Sequence, residues 1–469
     1  MGSAVTVAVV GGGIAGLAAA LRLRDRAPTG TRITVYDQAG AVGGKLRTGS
    51  VAGSAVEYGA EMFLTRDPAG GDSTAVELAR RVGLAGALVH PATTRAAIAA
   101  RGELLPIPAG TLVGVPGDLE AVAAVARPAA ERDLDGGGPL LADGEDVAVG
   151  DLVRRRLGNE VVDRLVDPML GGVYAGRADR LSLEATMPAL AAACRREATL
   201  AGAVRAALAG LPGAPGAPVF TTVAGGVGRL VEAVATASGA DLRLGLPVRE
   251  LTRTAAGWRL VVGSTRDLRV ETADAVVLAV PARPAARLLG DVHAGVAATV
   301  GALDYASVAL VTLALPAPSL PALSGFLVPA GEGTAVKAAT FFTTKWAHLR
   351  RDDGIALVRA SLGRHGEEHV IQHDDASLVA TVRAELSRLV GRPLPAPVDT
   401  HVQRWGGALP QYPPGHVARM AAARAALRAE HPTLALAGAA YDGVGIPVCI
   451  RSGWTAADDI LKAIGDRDE

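Results

Sequence analysis

The sequence predicts an α/β protein built on a discontinuous Rossmann-like domain, joined by a mixed-sheet domain and a helical insertion domain. The chain opens with an apolar strand, a glycine turn and an alanine-rich helix in AVTVAVVGGGIAGLAAALRLRDR. A similar unit follows at VFTTVAGGVGRLVEAVA, and a third, LALAGAAYDGVGIPVCIRSG, lies close to the C-terminus. Because strand and helix alternate in these units, we expect one parallel sheet that the chain leaves and re-enters.

The intervening stretches predict the other two domains. Apolar residues at helical spacing in VGDLVRRRLGNEVVDRLVDPML, with Gly158 as a break, indicate a helical unit that ends at the linker LPGAPGAP. Later strands, including YASVALVTLALPA read as a buried strand pair, surround one predicted helix, ASLVATVRAELSRLV. The predicted domains are 1-69, 216-290 and 428-469 for the first, 70-110 and 291-427 for the second, and 111-215 for the helical domain.

Composition narrows the class of function. Of 469 residues, 49% are hydrophobic and the formal net charge is zero, which disfavours nucleic acid as a partner. Two cysteines cannot form a disulfide framework, so a cytoplasmic location is expected. No apolar run reaches the roughly 20 residues of a membrane span, and no basic segment precedes the first apolar run. A peripheral membrane contact is left open.

The first glycine turn carries a dinucleotide-binding pattern. Gly11 permits the tight turn, Gly13 lets the backbone approach a diphosphate, and Gly16 allows the helix to pack on the strand. The helix start offers free N–H groups to phosphate oxygens. The second strand, RITVYD, ends at Asp37, which is placed to accept the ribose hydroxyls of an adenosine. A glycine turn that binds nothing is the alternative.

The next stretches separate a flavin from a nicotinamide cofactor. AVGGKLRT and VEYGAEMFL resemble the second glycine motif and the following segment of the large flavoprotein group that contains amine oxidases, desaturases and porphyrinogen oxidases. In that group these segments continue the FAD contact and run beside the flavin ring. The alternative for Lys45 and Arg47 is solvated surface charge.

The C-terminal unit narrows the resemblance. We expect Gly443, Gly445 and Gly453 to keep the backbone bare for a ligand. The following helix, from about Val448 to Ile464, is expected to point its N-terminus at the flavin. Amine oxidases usually carry a glutamate after the first glycine of this turn, where this chain has Ala439. GAAYDGVGIPVCIRSG instead resembles porphyrinogen oxidases, of both the protoporphyrinogen and the bacterial coproporphyrinogen type. Three further stretches share this resemblance: LVHPATTRAAIAARGELLPIPAG, VDPMLGGVYAGRADRLS and FTTVAGGVGRL.

This resemblance implies an FAD cofactor and a set of residues that contact it. The implied cofactor-binding residues are Gly11, Gly12, Gly13, Ile14, Ala15, Gly16, Asp37, Gln38, Gly44, Lys45, Gly59, Ala60, Glu61, Met62, Val248, Trp405, Val444, Gly445 and Ile446. Val248 would offer its backbone to the adenine. Lys345 is a weaker candidate for the substrate pocket.

The resemblance also implies the chemistry. A porphyrinogen loses six electrons in three two-electron steps, each passing a hydride to flavin N5, and oxygen reoxidises the flavin with release of hydrogen peroxide. No catalytic side chain is therefore expected. Arg95 would bind a propionate, Gly172 and Tyr174 would form the pocket wall, and Leu327 would clamp the macrocycle. A surface arginine is the alternative for Arg95.

Several alternatives stay open. Coproporphyrinogen III is preferred over protoporphyrinogen IX because a chain without a membrane segment suits the substrate with four carboxylates. An amine oxidase, a desaturase and a non-catalytic binding protein are more distant readings. Hand-over of the product to a ferrochelatase is an expected partnership. No metal site is expected, since Gly366 interrupts the spacing of His365, His369 and His373.

Overall fold

The computed structural model describes residues 4–211, 216–316, 318 and 320–465. Strands and helices are numbered along the chain. Residues 212–215 of the predicted linker, and residues 1–3 and 466–469 of the predicted first domain, lie outside the described residues.

A five-stranded parallel sheet forms the centre of the first domain. Its order is β12 (Asp241–Leu244), β2 (Arg32–Asp37), β1 (Thr6–Val10), β16 (Ala275–Leu278) and β22 (Leu434–Leu436). β1, β16 and β22 are almost wholly buried, as expected for parallel strands covered on both faces. In register, Val10 lies between Tyr36 and Leu278, so the first glycine turn leaves the middle of the sheet.

Helices cover one face of this sheet. They are α1 (Ile14–Arg26), α2 (Thr74–Arg81), α9 (Gly228–Ser238) and α16 (Ile446–Gly465). Their leucines, valines and alanines share one core with Val7, Val9, Ile33 and Val35 of the sheet. α1 and α16 lie directly against each other, so segments far apart in the sequence form one layer.

The opposite face carries a small antiparallel sheet and three helices. The strands are β13 (Val248–Thr254), β14 (Gly257–Ser264) and β15 (Asp267–Ala273), and the helices are α10 (Ala282–Leu289), α11 (Ala294–Gly301) and α14 (His416–Glu430). They share a core with Ala8, Val10, Val276 and Leu278. α11 and most of α14 fall within the segment predicted for the second domain, yet they pack on the first sheet. The domain boundaries stay a prediction.

A seven-stranded mixed sheet forms the centre of the second domain. Its order is β21 (Asp399–Pro410), β17 (Tyr305–Pro316), β20 (Ile355–Leu362), β19 (Val336–Phe341), β18 (Gly325–Leu327), β7 (Ala96–Ala100) and β8 (Glu103–Pro106). Neighbouring strands are antiparallel except for β18 and β7, which run parallel. Helix α13 (Asp375–Leu389) buries Leu378, Val382 and Leu386 against one face.

The helical unit has its own core. It contains α3 (Val149–Leu157), α4 (Asn159–Val161), α5 (Asp167–Tyr174), α6 (Leu183–Thr186), α7 (Pro188–Cys194) and α8 (Leu200–Ala209), with the hairpin β9 (Thr111–Leu112) and β10 (Val115–Pro116). Gly158, at φ 84°, separates α3 from α4 as predicted. A π-helical turn at Val162–Val166 joins α4 to α5.

Short elements connect these layers. They are the hairpin β3 (Thr48–Val51) and β4 (Ser54–Glu57), the small sheet of β5 (Phe63–Leu64), β11 (Phe220–Val223) and β6 (Leu88–Val89), and the helices α12 (Phe342–Lys345) and α15 (Ala439–Asp442). Through β11, the second strand–turn–helix unit of the sequence pairs with the segment that follows the second glycine motif.

Four local expectations differ from the structure. α16 begins at Ile446 rather than Val448, because Pro447 is well suited to a first helical turn. YASVALVTLALP is one continuous strand and not a strand pair, since no turn residue interrupts it. Residues 291–427 contain the helices α11, α12 and most of α14 besides the predicted α13. The strand β21 was not predicted, because its sequence contains no hydrophobic run.

Candidate cofactor and substrate site

The first glycine turn lies where β1 ends and α1 begins. Gly11 has φ +113°, and a Cβ there would lie 2.4 Å from the carbonyl oxygen of Ala279. A Cβ on Gly16 would lie 2.0 Å from the carbonyl oxygen of Gly11, so the sheet and helix demand both glycines. Gly13 differs, because nothing lies within 4 Å of an added Cβ. Its bare backbone faces open space.

The start of α1 fits an anionic ligand. Gly13 occupies the position before the helix, and no side chain caps the first N–H groups. The Asp37 carboxylate accepts a hydrogen bond from the Gly12 N–H at 2.7 Å and another from the Ala39 N–H at 2.7 Å. A carboxylate has further lone pairs, so Asp37 can still accept ribose hydroxyls. Gln38 is exposed beside it.

The second glycine motif lies against the first. The Gly43 N–H donates to the Gly12 carbonyl at 2.8 Å, and a Cβ on Gly44, which has φ +58°, would lie 3.5 Å from the Cα of Gly13. Lys45 is half-buried, and among the described residues its ammonium has no hydrogen-bond or ion-pair partner. Burial lowers the pKa of Lys45. An unpartnered cation beside bare glycine backbone fits a bound diphosphate-containing cofactor.

Arg47 behaves differently from Lys45. It is exposed, and its guanidinium lies 5.6 Å from the centre of the Trp405 ring. The Trp405 indole N–H donates to the Tyr58 carbonyl at 2.6 Å, which fixes the chain just before Gly59. A Cβ on Gly59 would lie 1.9 Å from the Lys45 carbonyl oxygen, so the two predicted segments touch.

Two cations, Lys345 and Arg359, hold the side chains of the segment 59–62. Glu61 is buried and forms ion pairs with Lys345 and Arg359. Burial alone raises the pKa of Glu61, but these two positive charges outweigh it and hold the pKa below its usual value. Lys345 also contacts the Met62 sulfur at 3.2 Å, while Ala60 stays exposed.

Arg359 further donates to the carbonyl oxygens of Glu57 and Gly59 at 3.1 and 2.9 Å. The backbone predicted to run beside the flavin ring is thus held directly by half-buried Arg359, and buried Lys345 adds an ion pair to the Glu61 side chain. Arg359 was absent from the sequence-based prediction. Its position in a strand gave no sign of this role.

The C-terminal turn completes the same region. Gly438 (φ +117°) precedes α15, Gly443 (φ +139°) follows it, and exposed Gly445 precedes α16. Val444 is half-buried and Ile446 is buried at the start of the helix. An added Cβ on Gly445 would meet no backbone atom within 4 Å and would lie 3.6 Å from a methyl carbon of Val448.

Gly453 corrects the prediction made for the third glycine. It is buried in α16, and an added Cβ would lie 2.1 Å from the carbonyl oxygen of Ala15. This glycine serves the close packing of α16 on α1 and not the approach of a ligand. Ile14 and Ala15 are likewise buried, so only their backbone can face a cofactor.

Two of the predicted substrate residues lie together. A Cβ on Gly172, in the exposed last turn of α5, would lie 3.1 Å from a methyl carbon of Leu327 on β18. Arg95 is exposed, and its guanidinium donates to the Ala322 carbonyl at 2.8 Å. The Arg95 carbonyl accepts from the Ser324 N–H at 2.7 Å, which places it beside the strand of Leu327.

Tyr174 connects this wall to the C-terminal turn through Tyr412, a residue that the sequence analysis missed. The two rings meet edge to face with centroids 5.8 Å apart. The Tyr412 hydroxyl donates to the Ala439 carbonyl. Burial raises the pKa of Tyr174 to about 12.

Val248, the residue expected beside the adenine, begins β13. Two residues before it, the Leu246 N–H donates to the Asp37 carbonyl at 2.9 Å.

Comparison with known proteins places this geometry in a family. The model for flavin containing amine oxidoreductases matches residues 14–461. The chain belongs to this family. The predicted resemblance, fold class and FAD cofactor are thereby confirmed, and the chain is an oxidoreductase.

Individual relatives are more specific. Coproporphyrinogen III oxidase of Mycobacterium tuberculosis is 37% identical over 97% of both chains. Human protoporphyrinogen oxidase is 28% identical over 97% of this chain and 98% of its own. A solved structure from Exiguobacterium sp. 255-15, provisionally assigned as a protoporphyrinogen oxidase, is 29% identical and superposes with a TM-score of 0.83 over 98% of this chain and 99% of its own.

Two further observations concern membranes and metals. Among the described residues, no helix combines the length and the hydropathy needed to cross a bilayer. In the part of the chain that the structure describes, no three His, Cys, Asp or Glu side chains group as metal ligands. His365 instead pairs with Asp304 at 2.7 Å.

Proposed function

We propose that this chain oxidises coproporphyrinogen III to coproporphyrin III in haem biosynthesis, with FAD as cofactor and dioxygen as final acceptor. The observation that carries this is the porphyrinogen-type C-terminal turn, with Ala439 where amine oxidases have glutamate, tied through Tyr412 to the wall residue Tyr174. Curated relatives that align over 97% of the chain bear the name coproporphyrinogen III oxidase.

FAD, when bound, would supply the redox chemistry, in which electron pairs pass from the macrocycle to dioxygen. Six hydrogen atoms leave each porphyrinogen, so three molecules of dioxygen become three of hydrogen peroxide. The protein's own part is to bind and orient the two reactants.

The cofactor would be held by the residues whose geometry fits it. The bare backbone of Gly13 and Gly44 and the start of α1 would receive the diphosphate, with Lys45 as the neighbouring cation. Asp37 would accept the ribose hydroxyls, and the strand start at Val248 would lie beside the adenine. The remaining contacts proposed are those of the segment 59–62, Trp405, and the turn and helix start at 444–446.

The substrate would lie against Gly172, Tyr174 and Leu327, with Arg95 receiving a propionate. Arginine binds a carboxylate bidentately, and such a charged hydrogen bond contributes roughly 1.5–3 kcal/mol. The exposed Arg95 guanidinium can turn toward the substrate by giving up one bond to a backbone carbonyl. We further propose a cytoplasmic location and transfer of the product to a ferrochelatase.

The test is aerobic turnover by the purified holoprotein with coproporphyrinogen III, protoporphyrinogen IX and benzylamine as parallel substrates. Porphyrin fluorescence and peroxide release are followed together. We expect the highest kcat/KM for coproporphyrinogen III and three peroxides for each porphyrin. Peroxide from the amine alone, or protein that takes up no flavin, overturns the proposal.

Protoporphyrinogen IX oxidation is the second candidate, favoured by the human relative of that name. It differs in the number of carboxylates that the pocket must receive, two instead of four. A kcat/KM for protoporphyrinogen IX above that for coproporphyrinogen III would select it.

A further inference from the structure

Lys337 is a buried cation that the proposed function has not used. It lies on β19 and is 5% exposed. Its ammonium donates to the carbonyl oxygen of Gly171 at 3.4 Å, and this is its single hydrogen bond among the described residues. An ammonium has three N–H donors, so two of them lack an acceptor. A buried charge with so few partners is costly unless something else compensates it.

Neighbouring acids do not supply that compensation. Arg364, the nearest cation, donates to the carbonyl oxygens of Thr334 and Val328 and lies 3.7 Å from the Glu367 carboxylate. Glu367 is also paired with Arg177.

Asp167 on α5 is likewise engaged, since it accepts from Arg177 at 3.2 Å and from the Ala178 N–H at 2.9 Å. Tyr174 is the remaining titratable group of α5 on this side. Burial first, and then the charge of Arg364, lower the pKa of Lys337 to about 7.

The position of this cation relates it to the substrate wall. Gly171, its hydrogen-bond partner, precedes Gly172, which touches Leu327. Leu327 pairs with Ala338 in the sheet, one residue beyond Lys337. The ammonium therefore bonds to the residue that precedes Gly172, at the junction of α5 with β18 and β19.

We propose that Lys337 receives one carboxylate of the porphyrinogen, and that substrate binding draws a proton onto its amine. This assignment rests on the proposed function and adds a second cationic subsite to that of Arg95. The bond to Gly171 is long and weak, so the flexible side chain loses little when it turns toward a carboxylate. A paired carboxylate favours the charged form, so the bound complex holds more protons near neutral pH than its separate parts.

Coproporphyrin III, the air-stable product with the same four carboxylates, is a suitable probe. Its binding to the holoprotein is measured by titration calorimetry in buffers of different ionisation enthalpy near pH 7.5. We expect net proton uptake by the wild-type protein. K337M should bind roughly 10- to 100-fold more weakly, with the uptake lost, as expected for removal of one charged hydrogen bond. K337R should restore affinity without proton uptake, because arginine is always charged.

The matched control is K462M, since Lys462 is exposed near the end of α16 and should leave both readouts unchanged. Bound flavin and the thermal midpoint of K337M show whether the variant is folded; if it is not, K337R alone decides through its missing proton uptake. Wild-type affinity and uptake in K337M, or undiminished uptake in K337R, would overturn the assignment. A wild-type protein that neither binds nor turns over the porphyrin would instead defeat the proposed function.

Discussion

Gly453 of α16 lies directly against the carbonyl oxygen of Ala15 in α1, with space for a hydrogen atom and none for a methyl group. The backbone atoms on both sides belong to buried helices, so neither can move aside cheaply. Close helix contact of this kind replaces side-chain packing with backbone packing.

We therefore expect G453A to destabilise the protein by about 1–3 kcal/mol or more, because the methyl group must push two helices apart. Thermal unfolding of the flavin-loaded protein measures this. G465A is the matched control in the same helix, since an added Cβ at Gly465 meets nothing within 4 Å. Equal midpoints for the two variants would contradict the close contact.

Two tyrosines provide a second comparison. Y412F removes the hydroxyl that donates to the Ala439 carbonyl and leaves that carbonyl unpaired, which should cost about 1–3 kcal/mol and change the flavin absorbance spectrum. Y441F should be neutral or stabilising, because the buried Tyr441 hydroxyl has no hydrogen-bond partner among the described residues. Urea unfolding at one pH compares both variants. An equal loss of unfolding free energy in Y441F and Y412F would contradict the assignment of a hydrogen bond to Tyr412 alone.

Glu57 should make stability depend on pH. Its carboxyl is buried, and burial raises its pKa from the usual 4.5 to about 7, although the Val227 N–H and the Thr48 hydroxyl partly oppose this. Since the folded pKa is above the unfolded one, its stabilising contribution is complete below pH 4.5 and is lost as pH rises through 7.

E57Q, which is always neutral, should therefore be more stable than the wild type above pH 8, by on the order of 1–3 kcal/mol, and similar to it near pH 5. Denaturant unfolding at the two pH values tests this. A difference of the same size at both would show that the substitution acts through something other than protonation.

The glycines of the first turn should separate folding from cofactor binding. G13A should fold with a near wild-type thermal midpoint but retain FAD at least roughly tenfold more weakly, because its methyl group projects into the space left for the diphosphate. G16A should fail to fold, since its Cβ would meet the Gly11 carbonyl. Flavin content and circular dichroism distinguish the two. Full FAD retention by G13A would remove Gly13 from the cofactor site.

Sequence reasoning could propose only those parts of the site whose residues follow one another closely along the chain. Strand, glycine turn and helix occur within about 20 residues, and the spacing from Gly16 to Asp37 reflects one strand–helix–strand unit. The ion pairs of Glu61 with Lys345 and Arg359 could not be predicted from such local spacing. Lys345 and Arg359 lie 284 and 298 residues away, on elements with no periodic relation to Glu61.

The roles of Gly453 and Lys337 were also beyond sequence reasoning. Glycine in a turn and glycine at a helix contact look the same in one sequence, and only the position of Ala15 distinguishes them. Lys337 sits in an ordinary strand, and its isolation is visible only once α5 lies over it. α11 escaped prediction because AGVAATVG has Thr299 as its one polar side chain and so shows no alternation of apolar and polar faces.

The packing of α16 on α1 has a consequence for biosynthesis. During synthesis the first helix emerges early, but one of the helices that cover it, α16, consists of residues 446–465, which are made more than 400 residues later. The nascent chain must keep that apolar face covered by other means until its last helix leaves the ribosome.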